Sequence, residues 1–223
     1  NLGTFTAGNS TVVFSYAGTQ FLPSNIYYNL TVLGGNKTVG GNVTVSNNLT
    51  VDGASANFNM NTYDLDVDGT TSLTNSGTIN LTSGTFDADG EVNNGAGTIN
   101  ISAAGNLVLS NTVTDLGNVD FGSSSTVTYD GSSPQNIYNA NYHDLTINNS
   151  SGTNITDGAT TISGNLNLHS RAIPLPITPT QLTVLTRTWA LELNIFPLIF
   201  LNIFFNHLKT LPIISFKFYI NFV

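Results

Sequence analysis

Two runs of carboxylates are the residues of this chain whose spacing suggests chemistry. Asp64, Asp66 and Asp68 alternate with Leu65 and Val67 and lead into Gly69. The pattern D-x-D-x-D-G is the first half of a calcium loop, in which hard oxygens at alternate positions converge on Ca²⁺. The match stops there, because the twelfth position is Asn75 rather than a bidentate Glu. Asp87, Asp89 and Glu91 repeat the alternation, with Asp87 falling on Asp64. If that step makes one structural period, the six carboxylates stack as two acidic strips about 5 Å apart. Like charges at that distance repel unless water or a cation lies between them. Asp64, Asp66, Asp68, Asp87, Asp89 and Glu91 are therefore candidate metal ligands for weakly held calcium. The competing reading is a pair of strands that bury Leu65 and Val67 and turn their Asp side chains to solvent.

Paired carboxylates also serve sugar-cleaving β-helix enzymes, which need an acid and a base flanking the scissile bond, or calcium with a basic residue. Up to residue 170 the chain has one lysine, Lys37, and no arginine. His143 and His169 stand alone, without ligand spacing. No catalytic residue is assigned, and the chain reads as a non-enzyme. Only 8% of its residues are charged, against about 25% in ordinary soluble domains. Residues 1–170 carry twelve acids against Lys37 alone, giving −11, and residues 171–223 carry four bases against Glu192, giving +3. An acidic body without clustered Lys and Arg is no nucleic-acid ligand. There is no cysteine, so the fold rests on burial and hydrogen bonding alone. The chain opens Asn1-Leu2-Gly3 without a basic-then-apolar leader, as a mature chain or an excised fragment does.

The acids sit in a series of short apolar–polar–apolar triplets. Leu30-Thr31-Val32, Val43-Thr44-Val45, Leu49-Thr50-Val51, Leu65-Asp66-Val67, Ile79-Asn80-Leu81, Ile99-Asn100-Ile101 and Leu107-Val108-Leu109 are the clearest. Alternation of period two with β-branched residues predicts half-buried strands. Short repeats favour a solenoid over a sandwich or barrel. Ser76-Gly77-Thr78-Ile79-Asn80-Leu81 returns as Ala96-Gly97-Thr98-Ile99-Asn100-Ile101, and Thr62–Asp66 returns as Thr85–Asp89. About one coil of a parallel β-helix fits each interval. The fold class expected is all-β, a parallel β-helix or β-solenoid, with Ile79 stacked on Ile99. Gly77, Gly84, Gly90, Gly97 and Gly105 are expected at its corners, where positive φ suits glycine.

A longer repeat overlies the short one. Ser10–Val32 returns as Ser125–Ile147 at an offset of 115 residues, with Phe14 on Tyr129, Gln20 on Gln135 and Tyr27 on Tyr142. The array breaks off at about residue 170. Residues 171–223 hold no glycine, five of the seven prolines, seven of the thirteen phenylalanines and Trp189. The division is thus 1–170, a repeat region in two partial copies, and 171–223, a hydrophobic tail. The tail reads as the product of a frameshift in AT-rich DNA or as a cap on the last coil. Its apolar run Ile195–Phe205 holds Pro197 and Asn202 and falls short of the roughly twenty residues of a membrane-spanning helix.

The phrase Leu2–Phe14, then Gln20, then Tyr27-Tyr28-Asn29-Leu30-Thr31-Val32 resembles the Gly/Thr/Asn-rich repeats of very large secreted, adhesin-like surface proteins of Bacteroidetes. Tyr129, Gln135, Tyr142, Asp144, Leu145 and Thr146 repeat the pattern, so the resemblance covers residues 1–168. It implies an extracellular or cell-surface β-rich solenoid segment, structural or adhesive, with no catalytic residues. The Asn, Thr and Tyr expected at the surface offer hydrogen bonds and stacking to surface glycans or other cell-surface components. Residues 171–223 do not look like the sorting domain that ends such proteins. Two alternatives stand beside this reading, a polysaccharide-degrading β-helix enzyme and an ice-binding β-solenoid. Against the latter, Thr31, Thr44 and Thr50 are irregularly spaced. The several Asn-x-Ser/Thr triplets, such as Asn29 and Asn36, follow from composition.

Overall fold

In the computed structural model of the chain, residues 8–149, 151, 153–155, 160–169 and 182–184 are described. They form 25 strands of two to five residues and no helix. Every strand pairing is parallel. Through Leu166–Leu168 the strands follow one another three to a coil, and paired strands are counterparts one coil apart. The chain is therefore a β-solenoid of about seven turns.

The first coil consists of Thr11–Phe14, Gln20–Leu22 and Ile26–Tyr27. These three strands open three sheets that serve as faces A, B and C. Face A has six strands and ends at Val113–Asp115. Face B has six and ends at Asn118–Phe121. Face C has eight and ends at Leu166–Leu168. A two-stranded sheet of Gln135–Ile137 and Thr153–Ile155 lies beyond face A, and a three-stranded sheet of Asn141–Tyr142, Thr160–Ile162 and Leu182–Val184 beyond face B. Coil length varies with the corners. The coil from Gln20 to its partner Lys37 is shorter than the one from Val43 to its partner Leu65.

Alternation decides what is inside. Along each strand every second side chain points inward and stacks on its neighbour in the next coil. On face C one such column runs Val43, Leu65, Phe86, Leu107, Val127 and Leu145, all buried. On face B, Phe58, Ile79 and Ile99 stack in register, as the short repeat requires. The top of that column is polar. Lys37 is fully buried, and its Nζ donates to the carbonyl oxygens of Tyr16 (2.7 Å) and Gly34 (2.5 Å). Burial pulls its ammonium below the ordinary lysine range.

The corner glycines have a different reason from the one expected. Positive φ occurs at Gly8, Gly34, Gly35, Gly53, Gly95 and Gly117, and at none of Gly77, Gly84, Gly90, Gly97 and Gly105. Gly77, Gly84, Gly90 and Gly97 lie where one coil presses on another, and Gly105 lies against the Ile101 side chain of its own coil. A Cβ at Gly84 would collide with the carbonyl oxygen of Tyr63, and one at Gly90 with that of Gly69. The missing side chain lets two corners touch at backbone distance.

Among the described residues no helix is long and apolar enough to cross a membrane. The hydrophobic run Ile195–Phe205, and with it most of the tail 171–223, lies outside the described residues. A close backbone approach leaves no room for a methyl group, so Gly84→Ala is expected to destabilise the solenoid by about 2 kcal/mol. A urea melt checks this, and an unchanged midpoint would show that the corner can relax.

Candidate functional site

The acidic residues gather on face C, in a register different from the one their spacing suggested. Leu65 pairs with Phe86, Asp66 with Asp87 and Val67 with Ala88. One coil thus carries Asp66, not Asp64, onto Asp87. The match between the two acidic runs slid the pattern by one D-x step. Such a slide keeps every side chain on its own side of the strand, so both alignments preserve the alternation of apolar and acidic positions.

The shift redistributes the six candidate ligands. Asp66 and Asp87 stand directly opposite each other on neighbouring strands, about 4.8 Å apart in backbone terms. Asp68 and Asp89 follow at the strand ends, where their amides donate to the carbonyls of Val45 and Val67 (3.0 Å each). Carboxylate oxygens of Asp66, Asp68 and Asp89 all lie within 4.8 Å of one another. Asp64 leads into the strand and spends its oxygens locally. It accepts from Asn42 Nδ2 at 3.1 Å and from the Thr85 amide at 2.9 Å. Glu91 has turned the corner toward face A, where it accepts from Thr114 Oγ1 at 2.5 Å. Leu65–Val67 is a strand with Leu65 and Val67 fully buried, and it does not wrap around a point as a calcium loop does.

A shallow groove of about 340 Å³ runs across these strands, lined by Asn42, Val43, Thr44, Asp64, Leu65, Asp66, Thr85 and Asp87. One oxygen of Asp87, Oδ1, is buried and has no hydrogen-bond partner. Burial, then Asp89, Asp130 and Asp66, push its carboxyl up to about 6. Asp66 is raised by burial, Asp68 and Asp89. Asp130 escaped the sequence reading, because it reaches Asp87 across the coils rather than along the chain. The chemistry available is that of a carboxylate row that shares protons or attracts a hard cation. Lys37, the one Lys or Arg among the described residues, lies in the core with its Nζ on the carbonyls of Tyr16 and Gly34.

The outward side of face B is a second ordered surface, of the neutral Asn and Thr groups in which the composition is rich. Asn59, Asn80 and Asn100 stand in register. Asn80 Nδ2 donates to Asn59 Oδ1 at 3.0 Å, and Asn100 Nδ2 to Asn80 Oδ1 at 3.2 Å. Thr78 and Thr98 form the next column. On face A, Thr31 and Thr50 are adjacent rungs of one column, followed by Ser72. Thr44 belongs to face C, which is why the three threonines looked irregular. His143 sits beside Asp144, Nδ1 to Oδ1 at 3.4 Å, away from the acidic groove.

Comparison with protein-family models, curated proteins and solved structures finds no match to this chain.

The raised Asp87 has a pH signature. Its folded value lies above the 3.8 of a free carboxyl, so the folded state holds the proton more tightly. Its contribution is complete below about pH 4 and is lost as pH rises through about 6. Solvent at the groove screens the effect and leaves about 1 kcal/mol. Asp87→Asn is expected to melt above the native chain at pH 7.5 and level with it at pH 3.5. A gap that does not depend on pH would show that Asp87 titrates normally.

Proposed function

We propose that this chain is a non-catalytic structural and adhesive segment of a secreted bacterial surface protein. The observation that carries the reading is the outward surface itself. Neutral amide and hydroxyl columns run along the solenoid, led by Asn59, Asn80 and Asn100 and flanked by Thr78 and Thr98. Their rungs repeat at about 4.8 Å. A row of this kind offers many weak, equivalent hydrogen-bonding positions. It suits an extended polyhydroxylated partner, a surface glycan, gripped by multivalency rather than by one pocket. The repeat architecture supports a stalk, because each coil contacts only its neighbours and the array can lengthen without a new core.

The rival with an observation behind it is polysaccharide cleavage in the acidic groove. Asp66 and Asp87 face each other, and Asp87 is the group raised toward neutrality. The pair lies on the open side of a parallel sheet, with no described cation beside it to stabilise a departing group. The test is a polysaccharide panel scored for retention and for reducing-end release. Retention without release, unchanged in Asp66→Asn and Asp87→Asn, is the expected outcome. Release that disappears in Asp87→Asn would make the chain an enzyme.

In this reading the oxygens of Asp66, Asp68 and Asp89 hold calcium as a weak stabiliser. With no bidentate Glu to close the site, affinity is expected in the millimolar range. Millimolar calcium should then raise the melting temperature by mass action beyond sodium at equal ionic strength, and Asp89→Asn should remove the difference. Equal shifts in both salts would leave only screening of an acidic face.

A further inference from the structure

Among the described residues, the large hydrophobic side chains left exposed are Val13, Tyr16, Phe21 and Ile26. Exposure alone does not single any of them out, because lone apolar residues are ordinary on protein surfaces. Register distinguishes them. Val13 is followed by Thr31, Thr50 and Ser72 on face A, and Ile26 by Thr44, Asp66 and Asp87 on face C. Phe21 projects from face B and is followed by Thr38, Asn59, Asn80 and Asn100. It sets an aromatic ring in line with the amide ladder. A neighbouring coil flanks such an outward ring and leaves its solvent side free.

The ring is also seated. A Cβ at Gly40 would lie 2.7 Å from Phe21 Cζ and 2.9 Å from Cε2, so the ring rests on the bare backbone of the next coil. Holding it there lowers the ordering cost of stacking a ligand on it. The long repeat shows that a coil closes without this arrangement. It carries Phe14, Gln20 and Tyr27 onto Tyr129, Gln135 and Tyr142, but Phe21 onto Asn136. Where Gly41 falls on Gly158, Gly40 falls on Asp157. The ring and its glycine are thus absent together from the second copy.

The row below the ring is neutral and rich in hydrogen-bonding groups. It runs about 19 Å from Phe21 to Asn100, beside a parallel column of Asn36, Asn57, Thr78 and Thr98. Asn80 uses one N–H and one lone pair in the ladder and keeps the others for a partner. Phenylalanine offers neither donor nor acceptor. A ligand must therefore present carbon-bound hydrogens at the ring and hydroxyls along the row. A flat chain of β-linked hexopyranoses with equatorial hydroxyls does both, since its C–H bonds stand on the sugar faces and its hydroxyls lie around the edges. Carboxylated or sulfated chains are disfavoured by the acidic body.

We propose that Phe21 is the stacking platform of a glycan site running along face B, and that its ligand is a neutral β-linked hexopyranose chain with equatorial hydroxyls. The ring takes the C–H face of one sugar, and the row from Thr38 to Asn100 takes hydroxyls of those that follow. The inference rests on the reading of face B as a glycan-binding surface and adds the residue that selects among glycans.

The probe is cellohexaose, titrated into the full chain and followed by saturation-transfer NMR. Phe21→Ala is expected to weaken binding about fivefold, and Phe21→Tyr to keep it. Ile26→Ala, which removes an equally exposed side chain from face C, is expected to change nothing. Gly40→Ala lifts the ring from its seat while leaving it present, and should weaken binding about twofold. Mannohexaose, whose axial hydroxyl interrupts one sugar face, should bind the native chain more weakly than cellohexaose, and that preference should vanish in Phe21→Ala. Equal affinity of the native and Phe21→Ala chains for cellohexaose overturns the platform while leaving the amide row as a binding surface. An equal loss in Ile26→Ala overturns it too, by reducing the effect to general apolar contact. If the native chain retains no polysaccharide at all, the platform and the glycan reading fall together.

Discussion

Everything in this molecule depends on one constraint, the in-register parallel stacking of each coil on the last. A strand of three or four residues cannot stand alone. It is held by main-chain bonds to the coil above and the coil below and by the inward side chains it stacks on theirs. Each fully buried Leu, Ile, Val or Phe contributes about 2 kcal/mol relative to exposure, and the columns on face C repeat that contribution rung after rung. Other sources are slight: there is no cysteine, and the ion pair given by the described residues is His143 with Asp144. Corners absorb the differences in coil length, so that the short coil from Gln20 to Lys37 and the longer one from Val43 to Leu65 both close. Register survives these changes because only the strands need to coincide.

The same constraint dictates the surface. Whatever stands outward in one coil is set beside whatever stands outward in the next, favourable or not. Amides profit, as Asn59, Asn80 and Asn100 donate in sequence up face B. Carboxylates do not, and Asp66 opposite Asp87 is the result. Two ionised groups about 4.8 Å apart on a half-dry surface repel. Burial first, then Asp89, Asp130 and Asp66, raise the Asp87 carboxyl to about 6, so it keeps its proton to a higher pH than a free carboxyl does. Inside, the exception is Lys37, which takes a core position below Gln20 and satisfies its ammonium with backbone carbonyls rather than an acid.

Alternation and short repeats made the fold legible in the sequence. Ile79 stacks on Ile99 because the corner between Ser76 and Ala96 is copied as well as the strands. The site was legible in membership more than in arrangement. Five acids of face C were recognised as a group, but their pairing was misread by one D-x step, since a strand pattern of period two looks the same after such a slide. Only the inward partners distinguish the registers: Leu65 meets Phe86, and nothing in D-x-D reports which apolar residue lies beneath. Glu91 was grouped with them on alternation alone, although Gly90, itself expected at a corner, separates it from Asp89. The glycines were found at corners for the wrong reason. Close approach between coils is a property of two distant segments, whereas positive φ belongs to one residue.

The phase of the long repeat bears on what such a motif is for. A binding site on the side of a solenoid needs its face, because a partner approaching from one direction meets one sheet. A residue set that joins coil to coil needs only an axial neighbour, and any of the three faces provides one. The motif opens on face A at Phe14 and on face C at its counterpart Tyr129, yet its tyrosine bond persists. Tyr27 reaches the Pro23 carbonyl at 2.7 Å, and Tyr142 the Tyr138 carbonyl at 2.6 Å. A rotation that would carry a lateral site out of reach of its partner leaves the axial contacts intact. The long repeat is thus organised along the solenoid axis, and the lateral chemistry belongs to the shorter coil-by-coil repetition that lines up amides on face B and acids on face C.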